Sequence, residues 1–171
     1  MSYRSAVLLE ARHQLDDFRC ASGEQTSWLH RHARQSAASS STRVFVVTEV
    51  ESDRVVAYYA WCMSHVAVED APERLRRGAG RYPQPVALLA RLGVDLGHER
   101  RGLGAGLVKD VIARFLVAAE EIGCRALLVH AESEVARDYY LHLVPEFVAS
   151  PIDPLHLVLL AKDLRKTLAR D

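Results

Sequence analysis

The 171-residue chain has no surplus of charge: 22 basic side chains balance 22 acidic ones, for a formal net charge of zero. Overall charge therefore argues neither for nor against nucleic acid, and only a local basic patch makes such a contact. Cysteine is scarce. Cys20, Cys62 and Cys124 are odd in number and far apart, which excludes a disulfide framework and suits the reduced thiols of a cytoplasm. No apolar run is long enough to span a bilayer, so no membrane association is expected. The opening MSYRSAVLLEARHQ lacks signal-peptide architecture, and a cytoplasmic location is the expectation. Metal is not expected either. His30 and His32 fall on different helix faces, and His130 and His142 have no cysteine or carboxylate at ligand spacing. His130, at a strand end, reads as a hydrogen-bonding scaffold residue. Neither an internal repeat nor a coiled-coil heptad is present.

What remains is an ordinary globular composition, 49% hydrophobic and 26% charged, of a length that suits one domain over residues 1–171. Val7-Leu8-Leu9 reads as a short strand, and Leu15 and Phe18 recur at helix-like spacing. Glu24 to Arg34 reads as an amphipathic helix with Trp28 and Leu29 inward, and Ser36 to Thr42 as a polar loop. Val44 to Val50 and Arg54 to Val68 form a predicted antiparallel hairpin turning at Ser52-Asp53. Glu69 to Pro85 is irregular, with three prolines and an arginine cluster. Val86 to Val94 is the next strand. After a glycine-rich break, Leu107, Val111, Ile112, Phe115 and Leu116 mark a helix that Gly123 is expected to cap. Arg125 to His130 is a strand. Ser133 is the N-cap candidate for a helix over 134–143, which Pro145 ends. Leu155 to Ala161 and Asp163 to Ala169 close the chain as strand and helix. The pattern predicts a mixed α/β sheet of six to seven strands with helices on both faces.

The most informative stretch is Val86 to Val108, VALLARLGVDLGHERRGLGAGLV. A strand, a glycine turn and a helix start in that order aim backbone N–H groups and the helix dipole at an anion. The dinucleotide fingerprint does not fit, since Gly102-x-Gly104 lacks its spacing, and no Gly-Lys-Ser/Thr closes a P-loop. Gly93 reads either as a bulge with close backbone approach or as a packing glycine. Tyr139-Tyr140 sits on the helix over 134–143, where neighbours diverge by about 100°. Either both tyrosines pack, or one packs and the other does chemistry. Arg74, Arg76, Arg77 and Arg81, joined by Arg91, form either a solvated face or a phosphate-binding surface.

The glycine stretch resembles the acyl-CoA loop of the GNAT N-acetyltransferase superfamily, Gln/Arg-x-x-Gly-x-Gly/Ala. In the preferred register Gly102 and Gly104 are the glycines and Glu99 replaces the usual neutral or basic first residue, with Arg100 and Arg101 supplying the charge. A register starting at Arg101 also fits the letters. Ala136-Arg137-Asp138-Tyr139-Tyr140 with Phe147 is similar to that superfamily's tyrosine segment. The resemblance extends to the GNAT-type toxins of bacterial toxin–antitoxin modules. It is carried by Phe18-Arg19-Cys20 with Trp28-Leu29, by Val55 to Ala60, by Ala71 to Arg77 (APERLRR), by Pro85 to Gly104, and by Leu127 to Pro154. Departures from the family pattern stand at Arg19, Gln25-Thr26, Glu99 and Pro145-Glu146.

The resemblance implies the GNAT fold and an acetyl-CoA-dependent N-acetyltransferase, a toxin that acetylates the α-amine of aminoacyl-tRNA. It implies acetyl-CoA binding by Leu92, Gly93, Val94, Arg100, Arg101, Gly102, Leu103, Gly104 and Ala105. It gives Tyr140 the role of general acid to the departing thiolate, and Arg74, Arg76, Arg77 and Arg91 contact with the tRNA. It implies a homodimer and a ribbon-helix-helix antitoxin as partner. The chemistry is consistent: tyrosine (reference pKa about 10) protonates a thiolate (thiol about 8.5) against a mismatch of roughly 2 kcal/mol. An α-amine near 7.7–8 needs no strong base. Two other readings stay open: a GNAT acetyltransferase of a small amine or protein N-terminus, and a non-catalytic GNAT module in a repressor complex.

Overall fold

The computed structural model describes residues 2–170. In chain order its elements are β1 (Val7–Leu8), α1 (Gly23–Arg31), α2 (Ala33–Ala38), β2 (Arg43–Thr48), β3 (Val55–Val66), α3 (Glu73–Arg76), β4 (Gln84–Val94), α4 (Leu103–Glu121), β5 (Ala126–His130), α5 (Glu134–Leu143), β6 (Val148–Ala149), β7 (His156–Leu160) and α6 (Ala161–Leu168). The strands make one mixed sheet in the order β1-β2-β3-β4-β5-β7-β6. The expected mixed α/β sheet is therefore present, with seven strands.

The chain divides into two compact units. The first runs up to Cys62 and includes Ala90–Val111. Its hairpin pairs β2 with β3 antiparallel, from Arg43↔Trp61 to Thr48↔Val55, with an irregularity at Val47/Thr48. Phe18, Leu29, Val46 and Tyr58 are fully buried at its core, each worth about 1.5–3 kcal/mol of burial. The segment Gln14 to Cys20 is not helical despite its spacing. Gln14 bridges to Arg54 and Cys20 to Asp95, and between the bridges the chain makes a turn, the Phe18 N–H donating to the Leu15 carbonyl at 3.1 Å, from which Leu15 and Phe18 reach the core. The helix expected over 24–34 is two helices, α1 and α2, that meet at His32; no glycine or proline marks the break. Ser22 caps α1, its hydroxyl accepting from the Gln25 N–H at 3.1 Å. α2 also takes in Ser36 to Ala38, shortening the expected polar loop.

The second unit holds Met63–Leu89 and the chain from Ile112 onward. β4 pairs parallel to β5 from Val86↔Ala126 to Leu89↔Val129. β5 pairs antiparallel to β7, from Ala126↔Leu160 to His130↔His156. Leu75, Val86, Ala126 and Val158 are fully or almost fully buried in its core. β6, a two-residue strand on β7, was not foreseen. Gly123 does not cap α4 in the left-handed manner, because its φ is not positive; the helix stops two residues earlier, at Glu121.

Candidate active site

In the first unit, Gly93 is buried on β4. A Cβ there would lie 3.2 Å from Cys20 Sγ, 3.3 Å from Tyr58 Cε1 and 3.4 Å from Phe18 Cζ, so this is a packing glycine pressed on by side chains. Leu92 and Val94 flank it, half-buried. The strand ends on Asp95, which is 4% exposed and uses both carboxylate oxygens. Oδ2 accepts from the Arg19 N–H at 2.9 Å and Oδ1 from the Gly97 N–H at 3.0 Å. Asp95 thus fixes the entry to the glycine loop. The signal for this Asx turn is local: an Asp two residues before a Gly at the end of a strand.

A 3-10 turn, Leu96–His98, follows. His98 is buried with Nδ1 2.9 Å from the Tyr3 hydroxyl. Glu99, Arg100, Arg101 and Gly102 are exposed. Arg100 has φ 59° and Gly102 φ 81°, both left-handed. α4 begins at Leu103, its first turn closed by the Gly106 N–H on the Gly102 carbonyl at 2.9 Å. The N–H groups of Leu103, Gly104 and Ala105 have no carbonyl within the helix to meet, which is the condition for anion binding at a helix start. The Tyr59 hydroxyl donates to Asp110 Oδ2 at 2.6 Å and ties the second turn of α4 to β3. A cavity of about 250 Å³ opens here, lined by Arg4, Ser5, Arg101, Gly102, Gly106 and Asp110.

Arg91 belongs to this unit too, whereas Arg74, Arg76 and Arg77 belong to the other. Its guanidinium donates to Glu24 Oε1 at 2.7 Å and lies 5.6 Å from the centre of the Trp28 ring. Arg91 is thus tied to α1 by an ion pair whose acid, Glu24, is largely exposed.

In the second unit, the Ser133 hydroxyl caps α5 by accepting from the Ala136 N–H at 3.2 Å. The two tyrosines diverge as the helix pitch requires. Tyr140 is 8% exposed and packs edge-on against Phe147 with ring centres 6.2 Å apart, while Tyr139 is 41% exposed. Burial, with smaller contributions from Tyr139 and Glu132, pushes the Tyr140 pKa far above the ordinary tyrosine value, so the phenol keeps its proton. His130 is not the hydrogen-bonding scaffold expected. Its ring stacks on His156 with centres 3.8 Å apart, beside a cavity of about 230 Å³ that also touches Ser64, His65, Asp70 and Ser150.

The arginine cluster has a different order from the one expected. Arg74 donates to both carboxylate oxygens of Asp163, which ties α3 to α6. Arg77 pairs with Glu73 at 3.0 Å, both well exposed, a contact worth little in water. Arg76 is exposed with no ion pair among the described residues. Arg125, which nothing in the sequence singled out, donates to the Leu75 carbonyl at 2.6 Å, the Arg77 carbonyl at 3.1 Å and Gln84 Oε1 at 2.6 Å. It thereby satisfies the carbonyl end of α3. Among the described residues no helix is long and apolar enough to cross a membrane.

No family model matches the chain. A "tRNA-acetylating toxin" of Mycobacterium tuberculosis is 44% identical over 147 residues, covering 85% of this chain and 86% of that protein. Among solved structures, AtaT complexed with acetyl-methionyl-tRNAfMet superposes with a TM-score of 0.86 at 21% identity, over 96% of this chain and 98% of that one. A Tyr→Phe mutant of AtaT bound to the C-terminus of the antitoxin AtaR and acetyl-CoA gives a TM-score of 0.80 at 21% identity, over 99% of each chain. The two structures show the shared fold, and the sequence relative shows descent. The chain therefore belongs to the tRNA-acetylating toxins of the GNAT acetyltransferase superfamily.

Proposed function

We propose that this chain, acting as a single domain, is an acetyl-CoA-dependent N-acetyltransferase that acetylates the α-amine of aminoacyl-tRNA and so blocks translation. The observation that carries this reading is the 44% identity to a tRNA-acetylating toxin over 85% of the chain. Acetyl-CoA supplies the thioester. Its pyrophosphate suits the helix start at Leu103, where the positive φ of Gly102 turns the backbone outward and Arg100 and Arg101 add charge. Leu92, Gly93 and Val94 border the acyl arm, and Gly104 and Ala105 keep the first helical turn free of bulk. Tyr140 holds the proton that the leaving sulfur takes up. The burial that raises its own pKa also raises proton affinity at a sulfur deprived of water. The amine nucleophile is appreciably neutral near pH 7–8 and needs no base.

Arg76 and Arg77 serve the tRNA directly, while Arg74 serves by anchoring α3 to Asp163. A homodimer, a ribbon-helix-helix antitoxin and a cytoplasmic location complete the proposal. The test offers labelled acetyl-CoA with charged and uncharged tRNA. Label entering charged tRNA alone supports the reading. Label in neither pool, with brisk acetylation of small amines, overturns it. Expression without antitoxin should arrest growth, and Tyr140→Phe should relieve the arrest.

A further inference from the structure

The loop after α3 combines two features that rarely meet on a mobile surface: a pinned backbone and an exposed aromatic ring. Residues 73–82 read ERLRRGAGRY, four arginines to one glutamate. Gly78 and Gly80 take φ of 75° and 62°, left-handed values that suit glycine. Between them Ala79 turns inward and is 8% exposed. Its N–H donates to the Arg76 carbonyl at 3.0 Å. From below, the Gln84 side-chain amide donates to the Ala79 carbonyl at 3.1 Å and the Tyr82 carbonyl at 2.9 Å. Gln84 is buried, and its own oxygen is held by Arg125. The side chains of Arg76, Arg77, Arg81 and Tyr82 all point the other way, into solvent. Tyr82 is 79% exposed, the most exposed aromatic side chain among the described residues.

A single exposed apolar residue is ordinary. An exposed aromatic ring on a fixed backbone, in a segment that also exposes Arg76, Arg77 and Arg81, suits an unpaired nucleotide. The ring stacks a base, which every base permits, and the arginines meet the flanking phosphates. Little side-chain entropy is lost, since tyrosine has two rotatable bonds. We infer that Tyr82 is a stacking platform for an unpaired base of the tRNA, flanked by Arg76, Arg77 and Arg81 on its phosphates. This rests on the proposed tRNA acceptor and adds to it the residue that reads an unstacked base.

The test measures affinity for charged and uncharged tRNA across a salt series for wild type, Tyr82→Ala, Tyr82→Phe and Arg81→Ala. Tyr82→Ala should weaken binding by about 5- to 140-fold, the span of one lost base stack, without changing the slope of log affinity on log salt. Tyr82→Phe should bind as wild type, because stacking needs no hydroxyl. Arg81→Ala should lower the slope by roughly 0.7–0.9. Acetyl-CoA affinity should be the same in all four proteins. Unchanged tRNA affinity in Tyr82→Ala, including the case where that variant loses a protein partner instead, overturns the inference and leaves the proposed function standing. A wild type that binds neither tRNA pool overturns both.

Discussion

Two loops of this molecule make opposite use of the same device. Each has one buried polar side chain beneath it: Asp95 holds the Gly97 N–H where the glycine loop begins and ties it to Arg19, and Gln84 holds the Ala79 and Tyr82 carbonyls of the arginine loop. Each also turns on residues with positive φ. The glycine loop then presents backbone N–H groups at a helix start, and its side chains are secondary. The arginine loop presents side chains, and its backbone groups are spent internally on Gln84 and Arg125. A loop that binds through its backbone tolerates odd residues, which accounts for Glu99 in a position that is usually neutral or basic. One that binds through long charged side chains depends on their identity and on salt.

The comparison is sharpened first by a variant that touches neither loop. Tyr140→Phe should cut turnover by roughly 10²–10⁴-fold while calorimetry finds acetyl-CoA and tRNA affinities intact. If Tyr139→Phe were the inactive variant, the helix register would be wrong. Because burial holds the Tyr140 phenol protonated, kcat/KM should rise with pH through the amine value near 7.7–8, with no falling limb before about pH 10. Next, Gly102→Val forces a β-branched residue into φ 81°, a strain of order 1–3 kcal/mol. Acetyl-CoA binding should weaken by about 5- to 140-fold and tRNA binding should not; equal loss of both would erase the distinction between the loops. Arg76→Ala should do the reverse, lowering the salt slope of tRNA binding by roughly 0.7–0.9 and sparing acetyl-CoA. The smallest effect is expected from Glu99→Gln. Removing an exposed acid near an anion site at a helix start should tighten acetyl-CoA binding by about two- to fivefold.

How far the sequence could be read followed the range of the forces involved. α5 was foreseen at both ends, because Ser133 and Pro145 act on backbone within a turn of themselves. The strand–glycine–helix order of β4 and α4 was legible for the same reason; helix pitch made the two tyrosines diverge but did not say which is buried, and it is Tyr140. The fork between Arg74 and Asp163 joins residues 89 positions apart, so the cluster looked like a uniform basic face when only part of it is free. Leu15 and Phe18 suggested a helix by spacing, yet a single turn between bridges to Arg54 and Asp95 brings them together. Arg91 carried no local hint of Glu24 or Trp28. β6 exists only through its pairing with β7.

The stacked rings of His130 and His156 carry a consequence for acid. The two rings stack with centres 3.8 Å apart. Burial first, then His156, depress the His130 pKa, with Asp153 opposing. The folded chain favours the neutral His130 ring, so the stability it lends is complete above the free imidazole value of about 6.5 and drains away as pH falls below that value. Mild acidification should therefore loosen the paired ends of β5 and β7, and hydrogen exchange at pH 5 against pH 7.5 would show whether their amides open.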